Sequence, residues 1–181
     1  MVKTLSIKVY SDGAVLDKML KDLESGLVSG FTTNPSLMKK AGITSYVEFA
    51  KEVLTKITEF PVSFEVFSDE MEIMEKEAEF LASLGENVYV KIPVINSRGE
   101  STLPLIDRLT SKGIKVNVTA VFTVEQVKEI VPVLKAGLPS IVSVFAGRIA
   151  DTGVDPIPIM KESLTLCHQK SSVELLWASP R

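Results

Sequence analysis

The chain has 181 residues, of which 45% are hydrophobic and 24% are charged. This composition predicts one soluble globular domain over residues 1–181 with a sizeable core. A formal net charge of −3, without any run of like charges, argues against a nucleic-acid partner. No stretch approaches the length of a membrane span, and the N-terminus is too short in its apolar part for a signal peptide. We therefore expect a cytoplasmic protein with no membrane partner.

The chain contains one cysteine, Cys167, and one histidine, His168. A single cysteine excludes an internal disulfide and fits a reducing compartment. A histidine–cysteine metal site or a histidine-based catalytic triad has almost no residues to draw on. We therefore predict no metal site.

Short β-branched runs alternate with amphipathic segments along the chain. The strand candidates are residues 5–12, 27–33, 61–67, 88–94, 115–122, 140–146 and 173–179. Helix-like segments lie between them, for example 15–25, 45–58 and 69–85, the last with Ser68 as its expected N-cap. No linker or low-complexity segment interrupts the alternation. The pattern predicts repeated βα units with parallel strands.

Seven such units leave two α/β architectures open, an open doubly wound sheet or a (β/α)8 TIM barrel truncated after its seventh strand. Side chains alternate along a strand, and in the strand at 88–94 valines and an isoleucine form one set while Lys91 belongs to the other. Other strands separate in the same way, with Glu65 and Asn117 in the polar sets. A doubly wound sheet should be apolar on both faces, so the pattern favours the barrel.

The barrel interpretation implies an incomplete barrel, because the eighth strand and final helices are not present in this sequence. We expect the full-length protein to continue past Arg181. The alternative is a fragment that leaves its first and seventh strand edges unpaired, and unpaired edges invite association with another chain.

The polar positions of the strands predict an active site at the barrel mouth. The candidates are Asp12, Asn34, Glu65, Lys91, Asn117, Thr119 and Ser143. For Ser143 or Thr119 alone, a core polar group that is satisfied by its neighbours is the favoured alternative. For Lys91 with carboxylates at equivalent heights we favour function, since lysine and glutamate are rarely fully buried without a purpose.

Desolvation lowers the pKa of a lysine, which leaves a fraction of free amine that can attack a carbonyl and form a Schiff base. Carboxylates beside it can move protons on and off the carbinolamine and the substrate hydroxyls. The protonated imine itself serves as the electron sink, so we expect no cofactor.

Five segments resemble the transaldolase family, and they occur in the family's order. They are "GFTTNPSLMKKAG" at 30–42, "VYVKIP", "VNVTAVFT", "SVFAGRI" and "LLWASPR". The resemblance, which includes the small transaldolases and the fructose-6-phosphate aldolases, covers the chain from about Ser6 to Arg181. The proline of the first segment can also open a helix, with Asn34 directed into the mouth.

The resemblance implies a role for each matching residue. It makes Lys91 the Schiff-base lysine, Asp12 the acid/base aspartate, and Glu65 with Thr119 the pair that holds a catalytic water. The residues implied to bind substrate are Thr33, Asn34, Asn117, Ser143, Phe145, Arg148, Ser179 and Arg181.

Arg148, Ser179 and Arg181 match the family's phosphate clamp. Arginine suits bidentate phosphate recognition, and both arginines follow C-terminal strand ends, where barrel active sites lie. An ion pair with Asp151 is the alternative for Arg148.

The implied function is a transaldolase of the pentose phosphate pathway that acts on sugar phosphates, in a homo-oligomer of five or ten subunits. A fructose-6-phosphate aldolase that releases free dihydroxyacetone is the nearest alternative. Such relatives carry glutamine and tyrosine where this chain has Glu65 and Phe145, which favours the transaldolase. A third hypothesis is an inactive barrel fragment that only binds sugar phosphate or assembles.

Overall fold

The computed structural model describes residues 6–180 of the chain. Its strands are β1 Tyr10–Asp12, β2 Gly30–Thr32, β3 Val62–Glu65, β4 Val88–Pro93, β5 Val116–Val121, β6 Ser140–Val144 and β7 Val173–Trp177. Its helices are α1 Leu16–Glu24, α2 Pro35–Lys40, α3 Tyr46–Lys56, α4 Met71–Ser83, α5 Leu103–Ser111, α6 Val124–Val133, α7 Ala146–Asp151 and α8 Ile157–Cys167. Within residues 6–180, no helix combines the length and the apolar character that crossing a membrane requires.

The seven strands form one parallel sheet in the order β1 to β7, so each strand pairs with its neighbours in the sequence. A doubly wound sheet would reverse its strand order at a switch point, and this sheet does not. The fold is therefore seven strands of a (β/α)8 barrel, which confirms the predicted fold class. The single-domain organisation stays a prediction.

An ion pair shows how strongly the sheet curls. Lys8, just before β1, pairs with Glu174 on β7. Seven strands laid flat would separate the outer strands by about 29 Å, about twice the distance that an extended lysine and an extended glutamate can span together. The sheet therefore bends until β1 and β7 face each other across a gap, which the Lys8–Glu174 pair bridges.

The predicted alternation of side chains decides where the core lies. Phe64, Val90 and Val118 are fully buried and belong to the apolar cluster that strands and helices form together. On the other face, Gly30 opens β2 because a Cβ at that position would overlap the ring of Tyr10. In β3, β4 and β5 the face that packs against the helices is thus apolar, as the sequence predicted.

Of two helix starts that the sequence predicted, the structure confirms one and contradicts the other. Pro35 is the first residue of α2, and Asn34 caps this helix, which confirms the helix-opening proline. The predicted N-cap Ser68 is wrong, because α4 begins at Met71 and its N-cap is Glu70. The Ser68 hydroxyl instead accepts the Glu70 N–H, while the carboxylate of Glu77 accepts the N–H of Ser68.

Glu75 ties α4 to α5, because its two carboxylate oxygens lie 2.8 Å from Arg108 Nη2 and 2.7 Å from Lys112 Nζ. Hydrogen bonds from Arg108 and then Lys112 lower the pKa of Glu75 from 4.5 to about 2. The unfolded chain binds a proton here more readily than the folded chain does. The stabilisation is therefore present above pH 4.5 and lost as the pH falls toward 2.

We predict that Glu75→Gln lowers the melting temperature at neutral pH and that the difference from wild type closes as the pH falls toward about 2. Thermal unfolding followed by circular dichroism across this range checks the prediction. Glu129→Gln is the matched control, since Glu129 lies in a helix without an ion pair to any residue among 6–180. A Glu75→Gln difference that stays constant with pH would contradict the assignment.

Candidate active site

Lys91 and Glu65 form a largely buried ion pair. The register of β3 and β4 sets the two residues side by side, with Lys91 Nζ 3.1 Å from Glu65 Oε2. Nζ also donates to the carbonyl oxygen of Thr33 at 3.4 Å. Only 9% of the Lys91 surface is exposed. The carboxylate thus offsets the several kcal/mol that an unpaired buried ammonium would cost.

Asp12 is the last residue of β1, and the sheet register pairs it with Thr32 on β2. The Thr32 hydroxyl donates to Asp12 Oδ1 at 2.8 Å, and the two residues are paired across β1 and β2. Sequence reasoning missed Thr32 and singled out Thr33 instead. Alternation along β2 puts Thr32 on the same side as Asp12, whereas Thr33 is fully buried.

Asn117 joins three strands through its side-chain amide. Its Nδ2 donates to Ser63 Oγ at 3.0 Å, and the Ser143 hydroxyl donates to Asn117 Oδ1 at 2.7 Å. All three residues are buried, and they come from β5, β3 and β6. The contact between Asn117 and Ser63 reaches from β5 to β3 past the intervening β4, so it crosses the lumen. The alternative of a core polar group that is satisfied by its neighbours therefore describes the contact of Ser143, and Ser63 is a partner that the sequence did not reveal.

A bulge in β5 precedes the mouth of the barrel. The register between β5 and β6 shifts between Val118 and Val121, and Ala120 has a φ of 56°. Non-glycine residues rarely adopt such angles, and bulges often re-aim a side chain beside a site. The neighbouring Thr119 Oγ1 is buried and has no hydrogen-bond partner among the described residues. An unsatisfied buried hydroxyl costs about 1–3 kcal/mol, so the Thr119 hydroxyl is a candidate contact for a ligand or a water.

Polar and aromatic groups surround the mouth. Asn34 Oδ1 accepts the Leu37 N–H at 3.0 Å, so this oxygen caps α2, while the amide nitrogen donates to no residue among 6–180. The Arg148 guanidinium lies 5.4 Å from the centre of the Phe145 ring, in a cation–π contact. Phe122, which sequence reasoning missed, packs edge-on against Phe145 at 5.5 Å. An aromatic residue just beyond a strand end was the only available signal.

One cavity of about 800 Å³ collects most of the predicted residues. Its lining includes Asp12, Asn34, Lys91, Thr119, Ser143, Phe145, Arg148 and Ser179. Three predicted residues, Thr33, Glu65 and Asn117, do not line it, although Glu65 contacts Lys91 and Asn117 contacts Ser143. Arg181 lies outside the described residues. The volume suits a small organic ligand.

The cavity extends into the gap between β1 and β7, where Ile7, Leu164 and Leu175 line it. Within the described part of the chain, no group of three or more histidine, cysteine, aspartate or glutamate side chains is arranged to hold a metal ion. The groups that line the cavity or contact its lining include the Lys91 amine, the carboxylates of Asp12 and Glu65, and several hydroxyls.

Comparisons with known proteins agree with the resemblance seen in the sequence. A model of the family described as "Transaldolase/Fructose-6-phosphate aldolase" matches residues 9–181. A "Probable transaldolase" of Thermoanaerobacter sp. (strain X514) is 36% identical over 176 residues, which cover 97% of this chain and 77% of the relative. A protein of the same name from Methanococcus maripaludis (strain C5) is 40% identical over 156 residues, or 86% of this chain and 68% of the relative. Another, from Aquifex aeolicus (strain VF5), is 36% identical over 97% of this chain and 76% of its own length.

The left-handed backbone at Ala120 gives a prediction for stability. Glycine adopts this conformation without the penalty of a Cβ, so Ala120→Gly should not lower the free energy of unfolding. In Ala82→Gly, within helix α4, the same exchange should lower it by about 1 kcal/mol. Urea denaturation of both variants measures the difference. Equal destabilisation by the two exchanges would mean that Ala120 carries no backbone strain.

Proposed function

We propose that this chain, which belongs to the transaldolase/fructose-6-phosphate aldolase family, is a transaldolase that works through a Schiff base on Lys91. It moves a dihydroxyacetone unit from fructose 6-phosphate or sedoheptulose 7-phosphate to erythrose 4-phosphate or glyceraldehyde 3-phosphate. One observation carries the proposal, namely the placement of the buried Lys91. Its Nζ lies 3.1 Å from a carboxylate oxygen of Glu65, and Lys91 lines the same cavity as Asp12.

The first step is attack of the Lys91 amine on the ketose carbonyl. Glu65 takes a proton from the Lys91 ammonium, which leaves a neutral, nucleophilic amine, and a proton is then returned to the carbinolamine hydroxyl as it leaves as water. The 3.1 Å separation of Nζ and Oε2 is within the range for direct proton transfer. Thr119 supports this step with a buried hydroxyl that is free to bind the water.

The second step breaks the bond between C3 and C4 of the ketose. Asp12 takes the proton of the C4 hydroxyl, the C4 oxygen becomes the aldehyde of the departing aldose phosphate, and the bonding electrons move into the imine to give an enamine. The hydrogen bond from Thr32 holds one carboxylate oxygen of Asp12 in place. Orientation of this kind matters because proton transfer requires a short and aligned path.

The enamine carbon then attacks the aldehyde of the acceptor, and Asp12 returns its proton to the new hydroxyl. Water hydrolyses the new imine and frees Lys91. The Asn34 amide and the Ser143 hydroxyl would bind substrate hydroxyls, with Asn117 supporting Ser143 and Phe145 forming a wall. Arg148 and Ser179, with Arg181, would bind the phosphate.

The cellular setting is also a proposal. We place the reaction in the cytoplasm, in the non-oxidative pentose phosphate pathway, and in a homo-oligomer. The support is family membership, since the described residues identify no surface for subunit contact.

We predict a covalent adduct on Lys91 when the protein is treated with borohydride in the presence of fructose 6-phosphate, because hydride traps an imine as a stable amine. Mass spectrometry of proteolytic peptides locates the adduct. Lys91→Met should form none. Lys115→Met is the matched control and should keep the adduct, since Lys115 Nζ donates to the Glu86 carbonyl and does not line the cavity.

An adduct at another lysine would contradict the mechanism. If the protein binds fructose 6-phosphate without forming any adduct, the inactive-fragment hypothesis replaces the transaldolase. The gap between β1 and β7 is the observation that keeps this hypothesis in view.

The second prediction separates the transaldolase from the aldolase. With fructose 6-phosphate alone, glyceraldehyde 3-phosphate should appear at no more than one equivalent per active site, because the enamine waits for an acceptor. Added erythrose 4-phosphate should give continuous turnover and sedoheptulose 7-phosphate. A coupled assay of glyceraldehyde 3-phosphate measures both. Equal turnover without the acceptor, with free dihydroxyacetone accumulating, would identify an aldolase.

A further inference from the structure

The hydrogen-bond ladder between β2 and β3 stops one step before Glu65. The Phe31 N–H donates to the Pro61 carbonyl at 2.8 Å, and the Thr33 N–H donates to the Ser63 carbonyl at 3.1 Å. This spacing of two residues is that of a regular parallel ladder. The next donor in the series would be the N–H of residue 35, and its acceptor would be the carbonyl of Glu65.

Residue 35 is a proline, which has no N–H to donate. The Tyr46 hydroxyl takes the place of that donor and lies 2.7 Å from the Glu65 carbonyl oxygen. Tyr46 is the first residue of α3, whose N-cap is Ser45. Burial raises the pKa of Tyr46 well above its ordinary value, so the phenol keeps the proton that it donates.

The Tyr46 ring is fixed by two aromatic neighbours. The ring centres of Phe64 and Phe67 lie 6.0 Å and 4.6 Å away, both edge-on. Beyond Glu65, the Glu77 carboxylate accepts the N–H groups of Phe67 and Ser68 at 2.8 Å and 3.0 Å. Side chains of α3 and α4 therefore hold the backbone at and just beyond Glu65.

We propose that Tyr46 is a positioning residue that holds the Glu65 carboxylate against Lys91 Nζ by replacing the ladder donor that Pro35 lacks. The inference rests on the proposed Schiff-base function. Tyr46 does not line the cavity, so its effect reaches the substrate only through Glu65. The Val66 N–H of the same peptide unit donates to the Lys91 carbonyl at 3.1 Å, so the Tyr46 hydroxyl and this bond fix the unit from its two sides. Without the hydroxyl, the Glu65 carbonyl loses its donor, and we expect the end of β3 to shift about the remaining bond and the carboxylate to leave its 3.1 Å contact with Nζ.

Tyr46→Phe tests this, because it removes the hydroxyl and keeps the ring contacts. We expect kcat to fall about tenfold and KM to change less than about twofold, because the loss affects proton transfer and leaves binding intact. In a Glu65→Gln background the same exchange should change kcat less than about twofold. A similar loss in both backgrounds would show a merely structural role and overturn the proposal.

Two further variants sharpen the test. Tyr89→Phe is the control, because Tyr89 lies on the same strand as Lys91 and its hydroxyl makes no hydrogen bond to a described residue. It should retain wild-type kcat, and a loss as large as that of Tyr46→Phe would overturn the proposal. Incorporation of 4-aminophenylalanine at position 46 restores a donor and should restore kcat to within about twofold of wild type. Failure of this rescue would also count against the proposal.

A crystal structure of Tyr46→Phe gives a readout that needs no activity. We expect the Glu65 Oε2 to Lys91 Nζ distance to exceed about 4 Å, the limit of an ion pair. An unchanged 3.1 Å contact would overturn the positioning role. If wild-type protein forms no borohydride adduct, the proposed function fails, while this distance still decides the role of Tyr46.

Discussion

The ion pair between Lys91 and Glu65 is the constraint on which the site depends. An ammonium in this position would destabilise the barrel by several kcal/mol if it stood alone. The carboxylate sits on the adjacent strand at the paired register position, so pairing requires both strands to keep their register. A slip of one residue would turn Lys91 toward the apolar face between sheet and helices. Stability and the proposed chemistry therefore depend on the same registration of β3 and β4.

The other polar groups of the lumen divide by whether the protein already satisfies them. Asp12 is held by Thr32, and Asn117 by Ser63 and Ser143. These contacts fix side chains that would otherwise adopt several rotamers. Thr119 differs. It lies next to the bulge at Ala120, and its buried hydroxyl has no hydrogen-bond partner among the described residues. The satisfied groups are held rigidly, whereas the Thr119 hydroxyl is a candidate contact for a polar ligand.

At two places in the sheet, backbone hydrogen bonding between strands is incomplete. Pro35 opens α2 with a favourable backbone angle, but it removes the donor that would complete the ladder beside Glu65. The hydroxyl of Tyr46 supplies this bond from α3. At the open side of the sheet, the Lys8–Glu174 ion pair bridges two strands that no backbone ladder joins. In both places a side chain makes the connection that regular secondary structure cannot make.

The sequence by itself determined the alternation of strands and helices, the side of each strand that carries polar groups, the proline start of α2 and the family. These features are local or periodic, so each can be recognised within one segment of the sequence. The tertiary structure alone decided that Thr32 contacts Asp12, that Ser63 and Ser143 share the amide of Asn117, and that Tyr46 serves Glu65. The structure also shows that α4 begins at Met71 with Glu70 as its N-cap, whereas the sequence had predicted Ser68 as the N-cap. Such pairings depend on strand register and on the curvature of the sheet, which bring residues from distant segments together and leave no periodic trace in the sequence.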